Sequence, residues 1–143
     1  MTTLLSGVRR LFAAVLAVGL LTPVACSSGA KLSPVKGHVF YGDKPAEGAT
    51  VVFQPTGAAR DAATPSGTVG ADGAFALTTH PHGDGAPPGE YAVLVTWYPD
   101  NARQVENPKN KLPAKYADPA KTPFKATVGA GPVELEPFKI PKN

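Results

Sequence analysis

The segment Asp72–Tyr98, DGAFALTTHPHGDGAPPGEYAVLVTWY, decides the fold. Asp72-Gly73 opens it as a hairpin signal, because glycine takes the positive φ that a tight turn needs. Ala74 to Thr79 then alternates, with Phe75 and Leu77 directed inward. His80 to Gly89 carries three prolines and three glycines and reads as a loop. The longest strand follows. Tyr91, Val93, Val95 and Trp97 fall on one face, and Ala92, Leu94, Thr96 and Tyr98 on the other. Both faces are largely apolar, which predicts a central strand covered at least partly on both sides, or one whose outer face meets the 99–116 loop. Tyr91 is expected to bury its ring and hydrogen-bond its hydroxyl at one end.

Working outward, the same period-2 pattern recurs on both sides. Val35 to Tyr41 alternates, with Val35, Val39 and Tyr41 together, and Gly42 to Pro45 reads as a turn. Thr50 to Gln54 directs Val51 and Phe53 inward and stops at Pro55. Residues 56–66 are small and polar, and Gly67 to Gly70 makes a short third strand. After the long strand, Asp100 to Lys115 is polar, holds two prolines and is too long for a tight turn. Loops of that length are usually functional or loosely ordered. Phe124 to Val128 alternates and Gly129 to Pro132 turns the chain. Val133 and Leu135 continue the alternation, but Phe138 and Ile140 lie in the opposite phase after Pro137. A bulge or an edge at Pro137 accounts for this, since proline cannot donate to a ladder. Seven short strands at this spacing predict an all-β domain, a seven-stranded antiparallel Greek-key β-sandwich of prealbumin or immunoglobulin-like type.

Composition agrees. The 143 residues suffice for one core but not for two substantial ones. Apolar residues make up 43%, an ordinary globular share, and 16 prolines argue against long helices. The net charge is +3, but two of the basic residues, Arg9 and Arg10, precede an apolar run that reads as an export signal. From Cys26 onward 12 Lys+Arg face 11 Asp+Glu. So balanced a domain has little field for steering polyanions, and no nucleic-acid partner is expected.

The N-terminus carries the most specific signal. Two arginines precede the run Leu11 to Leu21, and Thr22 to Ala25 leads into Cys26, Ser27, Ser28 and Gly29. A basic start, a short apolar core and small residues have the form of an export signal. The run is shorter than the about 20 apolar residues of a membrane span. Cys26 is the chain's one cysteine, so it has no internal disulfide partner. Ala25-Cys26-Ser27 resembles the lipobox of bacterial lipoproteins, although Pro23 stands where that family prefers Leu. The resemblance implies cleavage before Cys26 and acylation of its thiol, an anchor in diacylglycerol and palmitate-like chains. Plain secretion with an incidental thiol is the alternative. The expected organisation is a signal peptide at 1–25, a lipidated tether at 26–34 and a sandwich domain at 35–143. The expected location is the cell envelope, in the periplasm or at the outer membrane or surface.

The body also resembles a known family. Val35-x-Gly37-x-Val39, Gly42-Asp43-Lys44-Pro45, and Gly48-Ala49-x-Val51-x-Phe53-x-Pro55 match the pattern of the carboxypeptidase regulatory-like domain. So do Ala71-Asp72-Gly73-x-Phe75-x-Leu77 and Pro87-Pro88-Gly89-Glu90-Tyr91-x-Val93-x-Val95. That family belongs to the transthyretin-like sandwiches. Leu112-Pro113-Ala114-Lys115-Tyr116 and Pro123 to Val128 are similar to small lipoproteins of planctomycete-type bacteria. The resemblance covers residues 35–140 and implies a spacer, accessory or carrier role in place of an enzyme.

The residues offer few candidates for chemistry. His80-Pro81-His82 with Asp84 is a metal-ligand candidate, since zinc or copper accepts imidazole and carboxylate; His38 would join only if folding brought it near. The competing reading is a solvated loop with incidental histidines, and no cofactor is expected. The chain's four tyrosines and three histidines lack the spacing of intradiol dioxygenases, and its C-terminus lacks the Tyr-Arg-Gly-Ser motif of hydroxyisourate hydrolases. Tyr98 and Tyr116, flanking the long loop, are candidates for a binding surface, whereas Trp97 is in phase with the core. The functional expectation is a non-enzymatic exported lipoprotein contacting protein or an envelope polymer. The alternative is a metal- or carbohydrate-binding accessory domain that uses the His80–Gly89 and Trp97–Tyr116 loops.

Overall fold

A computed structural model describes residues 31–57, 63–80 and 84–142. The signal segment, Cys26 and His82 lie outside the described residues. The described residues contain nine strands: β1 Val35–Tyr41, β2 Lys44–Pro45, β3 Thr50–Pro55, β4 Ser66–Thr68, β5 Ala74–Ala76, β6 Gly89–Thr96, β7 Lys125–Val128, β8 Val133–Glu134 and β9 Phe138–Ile140. They form two sheets that enclose one core, a β-sandwich.

The second sheet has the order β4-β3-β6-β7 and is antiparallel throughout. β6 is central in it, between β3 and β7. Its inward row Tyr91, Val93 and Val95 is at most 3% exposed, and Ala92 on the other face is 1% exposed. Burial on both sides is what the two apolar faces of this segment predicted. The first sheet is built around β1. One edge of β1 pairs with β5 and then β2, and the other with β8 and then β9. Gly42-Asp43, read from the sequence as part of a plain turn, closes a tight β1–β2 hairpin in which Tyr41 faces Lys44.

The expectation of seven wholly antiparallel strands is corrected in two places. The strand count rises because Lys44–Pro45 pairs and the C-terminal strand divides. The direction differs because β8 and β9 run parallel to β1. The reason is where the chain re-enters. The turn after β7 sits where β1 begins, with the Ser33 hydroxyl donating to the Gly129 carbonyl at 2.7 Å. The C-terminal segment therefore starts at the same end as β1 and follows it. Side-chain alternation marks a strand but is silent on its neighbour's direction.

Pro137 marks a bulge. Val35 faces Val133 and Val39 faces Phe138, so four residues along β1 correspond to five along the C-terminal segment. The extra residue reverses the phase and brings Phe138 and Ile140 inward, at 8% and 0% exposure.

Residues 66–78 form a hairpin that links the sheets. Ser66 and Thr78 exchange backbone hydrogen bonds of 3.0 and 2.8 Å, and the Gly70 amide donates to the Ala74 carbonyl at 2.8 Å. Between these points β4 turns to β3 and β5 to β1, which closes one side of the sandwich. Gly73, at φ +85°, completes the turn that Asp72-Gly73 predicted, and the Asp72 carboxylate accepts the Ala74 amide at 3.0 Å. Gly67 meets a different demand: a Cβ there would fall inside van der Waals contact of the Ala76 carbonyl oxygen.

Gly67→Ala is accordingly expected to destabilise the fold by about 1–3 kcal/mol, the usual cost of forcing atoms into a packed site. Urea unfolding of the purified domain measures it; an unchanged midpoint would show that the hairpin tolerates separation.

Candidate functional site

Three polar features surround the core: the turn at His80, the loop that follows β6, and a groove on the outer face of the second sheet.

The first is organised by Asp84. Its Oδ1 accepts the Thr79 amide at 2.8 Å, and both of its oxygens accept the His80 amide, at 3.1 and 3.0 Å. Its Oδ2 also lies 3.1 Å from His80 Nδ1. The Thr79 hydroxyl donates to the Gly85 carbonyl at 2.6 Å, and the Gly85 amide donates to the Leu77 carbonyl at 3.0 Å. Partial burial pushes the Asp84 pKa up, but the hydrogen bonds from Thr79, His80 and its own backbone outweigh that and hold it below the ordinary 3.8. The carboxylate thus does structural work, turning the chain between β5 and β6. Of the sequence-predicted ligand set, the structure joins His80 to Asp84. It places His38 on the outer face of β1, stacked on Phe40 at 6.2 Å between centroids. Among the described residues no three His, Cys, Asp or Glu side chains converge.

The second feature depends on how the edge of β6 is shared. β7 pairs with only the first half of β6, from Gly89 to Ala92. The rest of that edge is served by residues 110–124. The Val93 amide donates to the Phe124 carbonyl at 2.9 Å, and the buried Thr122 hydroxyl donates to the Val93 carbonyl at 2.7 Å. Beyond the strand, Asn110 Oδ1 accepts the amides of Trp97 at 2.9 Å and Leu112 at 3.1 Å, and the Lys111 amide donates to the Trp97 carbonyl at 2.7 Å. These bonds pinch the chain at its base and leave residues 98–109 as a projecting loop containing one short 3₁₀ turn, Ala102–Gln104.

Trp97 is the footing of this loop. It is half-buried, edge-on to Tyr41 at 5.8 Å, and its Nε1 donates to the Glu47 carbonyl at 2.8 Å. Lys111 Nζ lies 4.5 Å from the centre of its ring. Its packing role agrees with its phase in the sequence. Tyr98 and Val105 are the large apolar side chains exposed among the described residues, at 42% and 44%, and both are on this loop. Val105 was not singled out in the sequence, though it carried a signal as the lone large apolar residue between Asp100 and Lys111.

The expectation for Tyr116 is corrected. It is 3% exposed and stacks on Phe124 at 5.5 Å, with Lys115 Nζ 5.0 Å from its ring. The 3₁₀ turn Ala114–Ala117 directs it inward, where it fills the open side of the sandwich beyond the short β7. A ring flanked by lysine and alanine in a polar stretch gives no pattern from which that direction could be read. Tyr91 meets its expectation: its ring is buried, its hydroxyl donates to the Pro87 carbonyl at 2.7 Å, and burial raises its pKa above 10.0.

The third feature is a groove of about 340 Å³ lined by Thr56, Glu90, Lys125 and Thr127 together with Tyr91 and Ala126. Glu90 and Lys125 are both exposed there. One solvated carboxylate and one solvated amine do not form a nucleophile–base pair.

No protein-family model and no curated protein matches the chain. Two solved structures are similar to parts of it. One is a DUF3823 family protein from Parabacteroides merdae, 19% identical over 78% of this chain and 47% of that one, with a TM-score of 0.41. The other is a 9R-lipoxygenase from Cyanothece, 13% identical over 83% of this chain and 18% of that one, with a TM-score of 0.42. The chain thus spans about half of the first and under a fifth of the second, and at these TM-scores neither likeness bears on its function.

Two outcomes follow from the bonding. Thr122→Val keeps the side-chain shape but leaves the Val93 carbonyl without its donor, so chemical denaturation should report a loss of about 1–3 kcal/mol. An unaltered stability would mean that the hydroxyl is dispensable. The Asp84 carboxyl has a folded pKa below its ordinary 3.8, as does Asp118, held down by the Ala120 amide and Lys121. Their contribution to stability is complete above about pH 4 and is lost as pH falls through the depressed folded values. Carboxyl NMR titration should place both midpoints below 3.8; a midpoint above that value would contradict the bonding.

Proposed function

We propose that this chain is a non-enzymatic, lipid-anchored protein of the bacterial cell envelope whose sandwich binds another protein or an envelope polymer through the 98–109 loop. We also propose the finer classification, a carboxypeptidase regulatory-like domain of the transthyretin-like group with a Greek-key path, on the motifs given above. Export and anchoring rest on the residues before Ser27, where two or three acyl chains on Cys26 would give stable attachment.

The observation that carries the binding reading is the coincidence on one loop of a hydrogen-bonded base and two exposed apolar side chains. Isolated exposed apolar residues are ordinary. Here Tyr98 and Val105 share a segment whose base is fastened by Asn110 and Lys111 and propped on Trp97. A loop held at its base loses less conformational freedom on binding, which favours contact. The exposed Tyr98 ring supports a second reading, stacking against a sugar, and a glycan array separates the two.

Two experiments test the proposal. Cys26→Ala should move the protein from the membrane to the soluble fraction; a mutant that still pellets with membranes removes the lipid anchor. Capture from envelope extract by the wild-type domain should fall at least about tenfold with Tyr98→Ser/Val105→Ser, equivalent to about 1.4 kcal/mol. Undiminished capture of the same species would place the contact elsewhere.

A further inference from the structure

The chain leaves its anchor at one end of the sandwich and raises its exposed loop at the other. Ser33 defines the first end. Its amide donates to the Ala86 carbonyl at 2.8 Å and the Ala86 amide donates back at 2.9 Å. Its hydroxyl donates to the Gly129 carbonyl at 2.7 Å and accepts the Gly131 amide at 3.2 Å. A residue 3% exposed therefore locks the tether to two separate turns, the one before β6 and the one after β7. The far end is defined by Tyr41 against Trp97, by Trp97 Nε1 on the Glu47 carbonyl, and by the Gly42 amide on the Ile140 carbonyl at 2.8 Å. β1 runs from the first end to the second, and so does β6. The eight residues of β6 separate the two by roughly 25 Å.

Between Cys26 and Ser33 there are six residues, 27–32. Fully extended, that link spans at most about 25 Å. We infer that the anchored molecule stands with its Ser33 end toward the bilayer and presents the Tyr98–Val105 loop away from the lipid. This rests on the lipid anchor proposed above. It adds the direction in which the partner lies. Because Ser33 is clamped to both turns, the tether joins the fold at a fixed point on that end of the sandwich.

The full lipoprotein provides its own test, because acylation of Cys26 leaves an introduced thiol as the chain's one reactive thiol. Ala130→Cys, on the turn beside Ser33, and Glu106→Cys, on the loop, are both at exposed positions. Each would be labelled with a donor dye and the protein reconstituted into phosphatidylcholine–phosphatidylglycerol vesicles carrying an acceptor lipid. Energy transfer is expected to be severalfold greater from position 130 than from position 106. Tyr98→Ser/Val105→Ser should float with the vesicles as wild type does. Equal or reversed transfer in protein that floats would overturn the orientation while leaving the anchor intact, and so would a loss of flotation in the double variant. Wild-type protein that fails to float would overturn the anchor and the orientation together.

Discussion

A row of six aromatic rings running from sheet to sheet is the constraint on which the rest depends. Tyr91 lies 5.6 Å from Phe53, Phe53 6.4 Å from Phe75, and Phe75 6.3 Å from Phe138. Phe138 lies 5.1 Å from Phe124, which lies 5.5 Å from Tyr116. Tyr91 and Phe53 belong to one sheet and Phe75 and Phe138 to the other, while Phe124 and Tyr116 close the open side. Each pair adds about 0.5–1.5 kcal/mol beyond its buried area. More importantly, the row ties the two sheets to each other and to the segment that closes the open side. It requires β9 to bring Phe138 inward, which the bulge at Pro137 permits, and the 112–124 segment to cover the side that β7 leaves open.

That last demand creates the feature of greatest functional interest. A longer β7 would have paired with all of β6 and left an ordinary hairpin. Instead β7 stops early, and Thr122 and Asn110 supply side-chain oxygens where a strand would have supplied its backbone. Their hydrogen bonds hold the remaining edge of β6 and the start of the chain beyond it. The residues in excess of that repair, 98–109, project. The loop that carries the exposed Tyr98 and Val105 is thus a by-product of how the sandwich finishes its edge, and its footing, Trp97, packs against the core beneath it.

The other candidate region shows the opposite economy. The turn at His80 holds two of the three candidate ligands within hydrogen-bond distance, yet Asp84 already receives two backbone amides and the His80 ring. A carboxylate with several donors is a common way to stabilise an irregular turn, since each amide would otherwise lack a partner. A His, Pro, Asp and Gly-rich stretch offers the same oxygen and nitrogen atoms to a metal as to a turn, but without a full ligand set in the sequence it reads more readily as a loop. Among the described residues, Asp84 accepts the Thr79 and His80 amides of this turn.

Local chemistry was legible in the sequence. Period-2 alternation located nearly every strand, Asp72-Gly73 located its turn, the two apolar faces of residues 91–98 marked the central strand, and the phase change at Pro137 revealed the bulge. Each depends on residues within a few positions of one another, where backbone geometry leaves little choice. What only the tertiary structure decided involves distant partners. The parallel course of β8 and β9 follows from Ser33 meeting Gly129, the burial of Tyr116 from the shortness of β7, and the opposition of tether and loop from strands that share a direction. Such relations are set by which surfaces can be buried together across the whole chain, and no local pattern of side chains encodes them.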